Sequence, residues 1–128
     1  MLTNLPLLLS GISVGIILFQ TSIIAPTVFG TLGPDRAGPI LRKVFPKFFI
    51  MLATLGLLNT LSAIVLDMHM HSYIGGATFA LAVIAYLLIP MTNKQRDENN
   101  EKAFKRLHRA SVLMTVIILL FNLASAIV

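Results

Sequence analysis

The chain of 128 residues contains no cysteine, which removes disulfides, thiolate metal sites, iron–sulfur clusters and cysteine nucleophiles from its chemistry. Charged residues are also scarce, at 12% of the chain, whereas 56% of the residues are hydrophobic. An average soluble domain carries about a quarter charged residues. A chain this short cannot hide so much apolar surface in a water-soluble core, and we predict one membrane domain over residues 1–128.

Asp, Glu, Lys and Arg are absent from four apolar runs, at about residues 5–24, 48–66, 73–91 and 110–128. A membrane-spanning helix needs about 20 apolar residues, and backbone amides in lipid must be paired within the segment. The sequence therefore predicts an all-α, integral membrane four-helix bundle. Because the runs lack buried charges, a proton-coupled pump is disfavoured.

Basic residues are missing from the chain ends and from the turn at 67–72, and all ten fall in or beside two polar stretches. Lys and Arg next to spans favour the cytoplasmic side. We expect a bacterial inner (plasma) membrane protein with both termini outside. The net charge of +5 could suit nucleic acid, but charges placed between spans favour the anionic inner leaflet instead. The residues expected to contact lipid headgroups are Arg36, Arg42, Lys43 and Lys47.

Prolines and glycines predict how the cytoplasmic ends are connected. A kink is expected at Pro26, and a turn at residues 33–35. Residues 37–45 alternate apolar and basic residues as a short interfacial helix does, and Pro46 is expected to separate that helix from the second span. The polar run 97–100 is the predicted start of the last helix.

Small and polar residues inside the spans predict helix packing. Gln20 and Asn59 are amides that seek partners on neighbouring helices, and Gly11 with Gly15 forms a GxxxG pair for close packing within the bundle or between subunits. The alternative use of Gln20 and Asn59 is a neutral path for a small molecule.

The turn between the second and third spans contains a potential metal site, formed by Asp67, Met68, His69, Met70 and His71. Alternation along an extended segment would put Asp67, His69 and His71 on one side. Imidazole, carboxylate and thioether groups suit copper or zinc. The alternative is an interfacial turn without metal.

His108 lies at the cytoplasmic mouth of the last span, where it could ligate haem or contact a partner. The sequence shows no Ser-His-Asp set, nucleotide loop or paired carboxylates. We therefore expect a protein that is not an enzyme.

Two segments carry a family resemblance. The matching residues of the first segment are Gly15, Phe19, residues 25–29, Leu32, Ala37, Gly38, Leu41 and residues 44–46. Those of the second segment, at the start of the last helix, are Phe104, Leu107, His108 and Ser111. They resemble the transmembrane protein 205-like family of small membrane proteins. Thr115 stands where that family has an asparagine. The resemblance implies a four-helix membrane protein and no settled reaction. In layout alone, the chain is also similar to copper-resistance-D-type and haem-binding four-helix membrane proteins.

The leading functional hypothesis is a non-enzymatic accessory or structural subunit, bound to other membrane subunits or to copies of itself. The alternatives are a protein that binds copper, zinc or, less readily, haem, and a small-molecule transporter or exporter.

Overall fold

A computed structural model describes residues 2–128, and this part of the chain is helical with no strand. A 3₁₀ turn, Leu2–Asn4, leads into α1, Leu5–Phe19. A π-helical turn, Gln20–Ile24, joins α1 to α2, Ala25–Val65. Two further helices follow, α3, His69–Asp97, and α4, Glu101–Ala124.

Three helical segments in the described chain are long and apolar enough to cross a membrane: Leu2–Val65, His69–Asp97 and Glu101–Ala124. The first segment is interrupted inside α2 at Gly33, whose φ of 73° and ψ of 168° are not helical. We call residues 5–32 the first arm and residues 34–65 the second arm. The membrane helices expected from composition are thus confirmed.

Each reversal of the chain uses one residue with positive φ: Gly33, Asp67 at 58° and Asn99 at 56°. Glycine adopts this conformation without a steric penalty, and aspartate and asparagine tolerate it better than other residues do. Pro34 directly follows Gly33, and a proline suits the first turn of a helix because its missing N–H would be unpaired there. The turn expected at residues 33–35 is therefore present.

Three close contacts set the register between neighbouring helices. Asn59 bonds Ser10 across the turn at Gly33, and Asn122 bonds Thr78 across the turn at Asn99. Between α2 and α3, a Cβ built on Gly75 would lie 2.6 Å from the backbone nitrogen of Thr60. The two members of each pair lie at nearly equal distances from their turn, so consecutive helical stretches run antiparallel.

The apolar core lies in the middle of these helices. Two helical turns from Ser10 and from Asn59, and one turn from Thr78 and from Asn122, lead toward the middle of the helices. The four residues reached in this way lie at the same position along the bundle axis. They are Ile17, Leu52, Ala82 and Ile118, each at most 1% exposed. Phe48, Phe49 and Ala85 extend the same buried cluster toward the basic end. An apolar layer therefore closes the interior halfway along the helices.

The predicted interfacial helix is not a separate element. Residues 37–45 belong to the second arm, which passes through Pro39 and Pro46 without leaving the helical conformation. Each proline removes one backbone bond, but the affected carbonyls lie in the polar, basic part of the arm, where water can pair them. At about 1.5 Å per residue the second arm is roughly 48 Å long, so its basic part extends beyond a 30 Å apolar layer.

Two other predicted boundaries need correction. Asp97 ends α3 and does not start the last helix; α4 begins at Glu101, where the Asn100 side chain accepts a hydrogen bond from the Ala103 N–H. Near Pro26 the chain contains the π turn, in which the Ala25 N–H reaches the carbonyl of Gln20. A missing proline N–H favours such a local rearrangement, so the expected distortion occurs just before Pro26.

Candidate functional site

Two asparagines connect the helices through the buried interior. The Asn59 Nδ2 donates to Ser10 Oγ at 2.9 Å, joining the two arms. The Asn122 Nδ2 donates to Thr78 Oγ1 and to the Ile118 carbonyl, each at 2.8 Å, joining α4 to α3. All four side chains are at most 3% exposed. An amide in an apolar interior needs partners, so these bonds select which helices pair and in which register.

The two asparagines lie in adjacent polar layers on the same side of the apolar core. One layer holds Ser10, Asn59 and Ser125, and the next holds Ser13, Thr78 and Asn122; all six residues are buried. Both layers belong to the half of the molecule that contains the chain ends and the turn at Asp67. The Oδ1 of Asn59 and the Oγ of Ser125 have no hydrogen-bond partner among the protein atoms.

α2 and α3 approach each other more closely than side chains would allow. A Cβ built on Gly56 would lie 2.6 Å from the Phe79 nitrogen, and one built on Gly75 would lie equally close to the Thr60 nitrogen. The Thr60 hydroxyl donates to the Gly56 carbonyl and lies 3.5 Å from the carbonyl of Ser72. Glycine on both helices is what permits this backbone contact.

Gln20 begins the π turn and points into the bundle, 6% exposed, yet its Nε2 has no protein partner. The predicted use of the Gln20 amide in helix packing stays a prediction. Thr115 on α4 lies at the same position along the bundle axis as Gln20. Its hydroxyl is not free to donate to Gln20, because it already donates to the Ser111 carbonyl.

The predicted metal residues do not share one face. His69 and His71 form the first turn of α3 and are not part of an extended segment, so the expected alternation is wrong. Asp67 Oδ1 lies 3.2 Å from His69 Nε2, both exposed, while His71 is buried at 6% exposure. Met68 is half-buried and Met70 is exposed. In residues 2–128 no three His, Cys, Asp or Glu side chains form a group that could hold a metal; copper or zinc binding stays a prediction.

The two basic stretches meet at the opposite end of the molecule. Arg42 forms a bidentate ion pair with Asp97, at 2.5 and 3.2 Å, and so connects the second arm to the end of α3. Both residues lie outside the apolar spans. The hydrogen bonds from the Arg42 guanidinium lower the pKa of the Asp97 carboxyl below its ordinary value. Arg36, Lys43 and Lys47 are exposed on the same end.

His108 belongs to a stack on α4 that Arg96, the residue before Asp97, covers. The Arg96 guanidinium carbon is 5.2 Å from the centroid of the Phe104 ring, and that ring stacks on His108 at 5.8 Å and 10°. His108 is exposed. The resemblance motif of Phe104 and His108 is therefore one continuous stack; haem ligation by His108 stays a prediction.

Gly11 and Gly15 face away from the rest of the chain, with nothing within 4 Å of a Cβ built on either. They do not mediate packing inside this molecule, and packing between subunits stays a prediction. The residues that the sequence interpretation missed are Ser10, Thr78 and Gly56. Ser10 and Thr78 lie about as far from a turn as Asn59 and Asn122 do on the other side of it, and that spacing was the available signal.

A family model described as domain of unknown function (DUF4149) matches residues 8–101, and the chain belongs to that family. The match includes most of the first arm, the whole second arm and α3, with the Asn59–Ser10 bond and the Gly56–Gly75 contact, and ends where α4 begins. The transmembrane protein 205-like resemblance stays a prediction. No curated protein and no solved structure matches the chain. The described residues form a small helical, membrane-type protein without an evident catalytic site.

Proposed function

We propose that this protein is a non-catalytic subunit of a membrane assembly, which it joins through an outward-facing surface of the first arm. In this proposal the two arms cross the membrane separately, so that the four stretches form a four-helix membrane bundle. The break at Gly33 and the Asn59–Ser10 bond support counting the arms as two spans. Each arm, at about 1.5 Å per residue, exceeds the roughly 30 Å that a span must cover.

One surface of the first arm carries the proposal. Asn4, Leu8, Gly11, Gly15, Leu18 and Ser22 are spaced by alternating steps of four and three residues, and all six are exposed. This spacing is that of a left-handed helix-packing seam. We call these six residues the α1 seam.

The composition of the α1 seam favours a protein partner over lipid. Glycines do little to fill space beside lipid tails, but they allow a second helix to approach closely, and Asn4 and Ser22 can bond across such a contact. A shallow groove lined by Asn4, Leu7, Leu8, Gly11 and Ile12 continues the surface toward the chain start. The proposed occupant is a transmembrane helix of another protein.

Co-purification tests the α1 seam. Native-membrane purification of the tagged chain should retain a partner, and Gly15→Leu should release it. Gly30→Leu is the matched control, because Gly30 lies on the same arm, is exposed and also has open space around its Cβ position. Loss with both variants or with neither would contradict the α1 seam. Recovery of the chain only as a monomer or a self-oligomer would contradict a role in another protein's assembly.

The proposed orientation has the basic end in the cytoplasm and both termini outside, in the bacterial inner membrane. Since the Arg42–Asp97 pair holds the two basic stretches at one end, a single membrane face receives both, as the positive-inside rule requires. Because Arg42 is paired, Arg36, Lys43 and Lys47 are the proposed contacts to anionic headgroups.

Single cysteines test the orientation, since the natural chain has none. His69→Cys and Glu98→Cys place a thiol at exposed positions on opposite ends. A membrane-impermeant maleimide applied to spheroplasts should label the former directly and the latter only after lysis. The reverse pattern would show that the orientation is inverted.

A further inference from the structure

A groove of about 220 Å³ lies on the outer surface between the second arm and α3. Its lining is almost entirely apolar and includes Ile50, Thr54, Leu57, Phe79 and Tyr86. All five residues are exposed, so the groove opens toward the surroundings of the bundle and not toward its interior. The Thr54 hydroxyl already donates to the Ile50 carbonyl and leaves the groove apolar at that point.

The groove has a narrow end near the middle of the second arm. Its lining residues fall within 49–58 of the second arm and 79–86 of α3. The closest backbone approach of the two helices, at Gly56 and Phe79, lies at one end of both ranges. From this contact the groove therefore extends toward the basic end of the molecule.

Two lysines continue the groove at its other end. Lys43, Lys47, Ile50, Thr54 and Leu57 follow one another at alternating steps of four and three residues, which places them on one face of the second arm. The helix is continuous through this stretch. Both lysines are exposed, and neither forms an ion pair with another side chain of residues 2–128. An apolar groove thus leads directly to two positive charges without a counter-charge.

The length of this face matches one leaflet of a bilayer. Lys47 lies ten residues from Leu57, which is about 15 Å at 1.5 Å per residue and half of a roughly 30 Å apolar layer. With Lys47 at the headgroup boundary, the groove reaches the middle of the bilayer, as a lipid acyl chain does. A transmembrane helix would cross both leaflets and would need a seam that continues beyond the contact of Gly56 with Phe79.

Tyr86 marks the headgroup side of the groove on α3. It lies seven residues after Phe79, just as Phe49 lies seven residues before Gly56, so the antiparallel register brings Tyr86 level with Phe49 and close to Lys47. Tyrosine suits the boundary between hydrocarbon and headgroups, because its ring is apolar and its hydroxyl is polar.

We propose that this groove binds one acyl chain of an anionic phospholipid, whose phosphate group lies at Lys43 and Lys47. The proposal rests on the headgroup contact already proposed for these two lysines, and it adds a defined site with an acyl chain in place. Only the choice of the inner leaflet depends on the proposed orientation. An inverted orientation would move the site to the outer leaflet and leave binding unchanged. The site is also independent of the α1 seam.

Native mass spectrometry of the purified chain in detergent tests the site. The chain is titrated with phosphatidylglycerol or with phosphatidylcholine of the same acyl composition, so that only the headgroup charge differs. We expect one molecule of phosphatidylglycerol to be retained, with an affinity on the order of tenfold above that of phosphatidylcholine, since each lysine near an anionic headgroup contributes about fivefold. Equal retention of the two lipids would overturn the proposal without any variant.

A pair of substitutions tests the headgroup contact. Lys43→Gln combined with Lys47→Gln should reduce phosphatidylglycerol binding to the level of phosphatidylcholine. Lys102→Gln combined with Lys105→Gln is the matched control, because it removes the same charge from exposed positions on α4 and should leave binding unchanged. Equal losses in the two double variants would show that general positive charge, and not this site, attracts the lipid.

A second pair tests the acyl chain. Ala53 is a half-buried residue of the groove, and Ala53→Leu should fill the groove and weaken phosphatidylglycerol binding several-fold. Ala80→Leu adds the same side chain at an exposed position of α3 that does not line the groove, and should have no effect. An unchanged unfolding temperature reports that each variant is folded. Full binding by folded Ala53→Leu would overturn the proposal, because the headgroup alone would then account for it.

Discussion

Asn59 Nδ2 and Ser10 Oγ lie 2.9 Å apart, although 49 residues separate them in the chain. Each is about 24 residues from the turn at Gly33 and Pro34, so the bond forms only when the first arm lies antiparallel along the second. This contact joins the two arms of a helical segment of 64 residues, together with the apolar core that both arms share.

Replacing Asn59 should therefore loosen the contact between the arms. We expect Asn59→Leu, which keeps the branched shape and the number of heavy atoms, to lower the free energy of unfolding in detergent by on the order of 1 kcal/mol, as for other hydrogen bonds between membrane helices. Ser10→Ala in the same chain should add little, because the bond is already lost. Thr54→Val is the control, since that exposed hydroxyl bonds only its own helix. Additive losses in the double variant would argue against a shared bond.

The Gly56–Gly75 contact predicts an unusual sensitivity to a single methyl group. Gly56→Ala and Gly75→Ala each place a Cβ 2.6 Å from a backbone nitrogen, and the helices must separate. Overpacking of this kind costs about 1–3 kcal/mol, measured as the shift in unfolding free energy. Gly30→Ala, with open space at its Cβ, should instead stabilise its helix by roughly 0.5–1 kcal/mol. Equal responses of the three variants would contradict the close approach.

Gly33 is the one glycine that is required for its backbone conformation. Its φ of 73° is unfavourable for other residues, so Gly33→Ala should destabilise the turn by about 1–2 kcal/mol. Gly38→Ala, five residues later in helical backbone with open space at its Cβ, should be neutral or stabilising. Thermal unfolding of the two purified variants distinguishes them, and a Gly33→Ala chain as stable as Gly38→Ala would show that the turn tolerates a side chain.

Hydropathy and turn residues were sufficient to predict the helices, because apolar runs without charges have few alternatives in a membrane. The continuity of the second arm was not predictable from Pro46 alone. A proline in a helix removes one backbone bond, and at the polar end of the second arm water can pair the carbonyl that is left free.

The pairing of polar residues was harder to predict. The sequence shows that the Asn59 amide needs a partner. Which residue that is depends on the register between the two arms, and this register follows only once the turn at Gly33 is known. Gln20 is an equally polar residue in the first arm, yet its Nε2 has no protein partner, and its use in helix packing stays a prediction. His71 was misplaced because His69 already belongs to a helix, where residues two apart lie on nearly opposite sides.

The Arg42–Asp97 pair predicts a pH-dependent contribution to stability. The folded-state pKa of Asp97 is depressed by hydrogen bonds from Arg42, so the pair stabilises the fold above the unfolded pKa of aspartate, about 4. That contribution disappears as pH falls through the lower, folded-state pKa. Arg42→Gln should therefore lower the unfolding temperature slightly at pH 7 and in low salt, and should have no effect once Asp97 is protonated.

Arg36→Gln is the control for that measurement, because it removes an exposed charge from the same basic stretch. Its effect should not depend on the protonation of Asp97. Arg42→Gln could lower the unfolding temperature equally at pH 7 and below the folded-state pKa of Asp97. Arg42 would then act only as one more positive charge at the basic end. The two basic stretches would then be held together by helix packing and not by this pair.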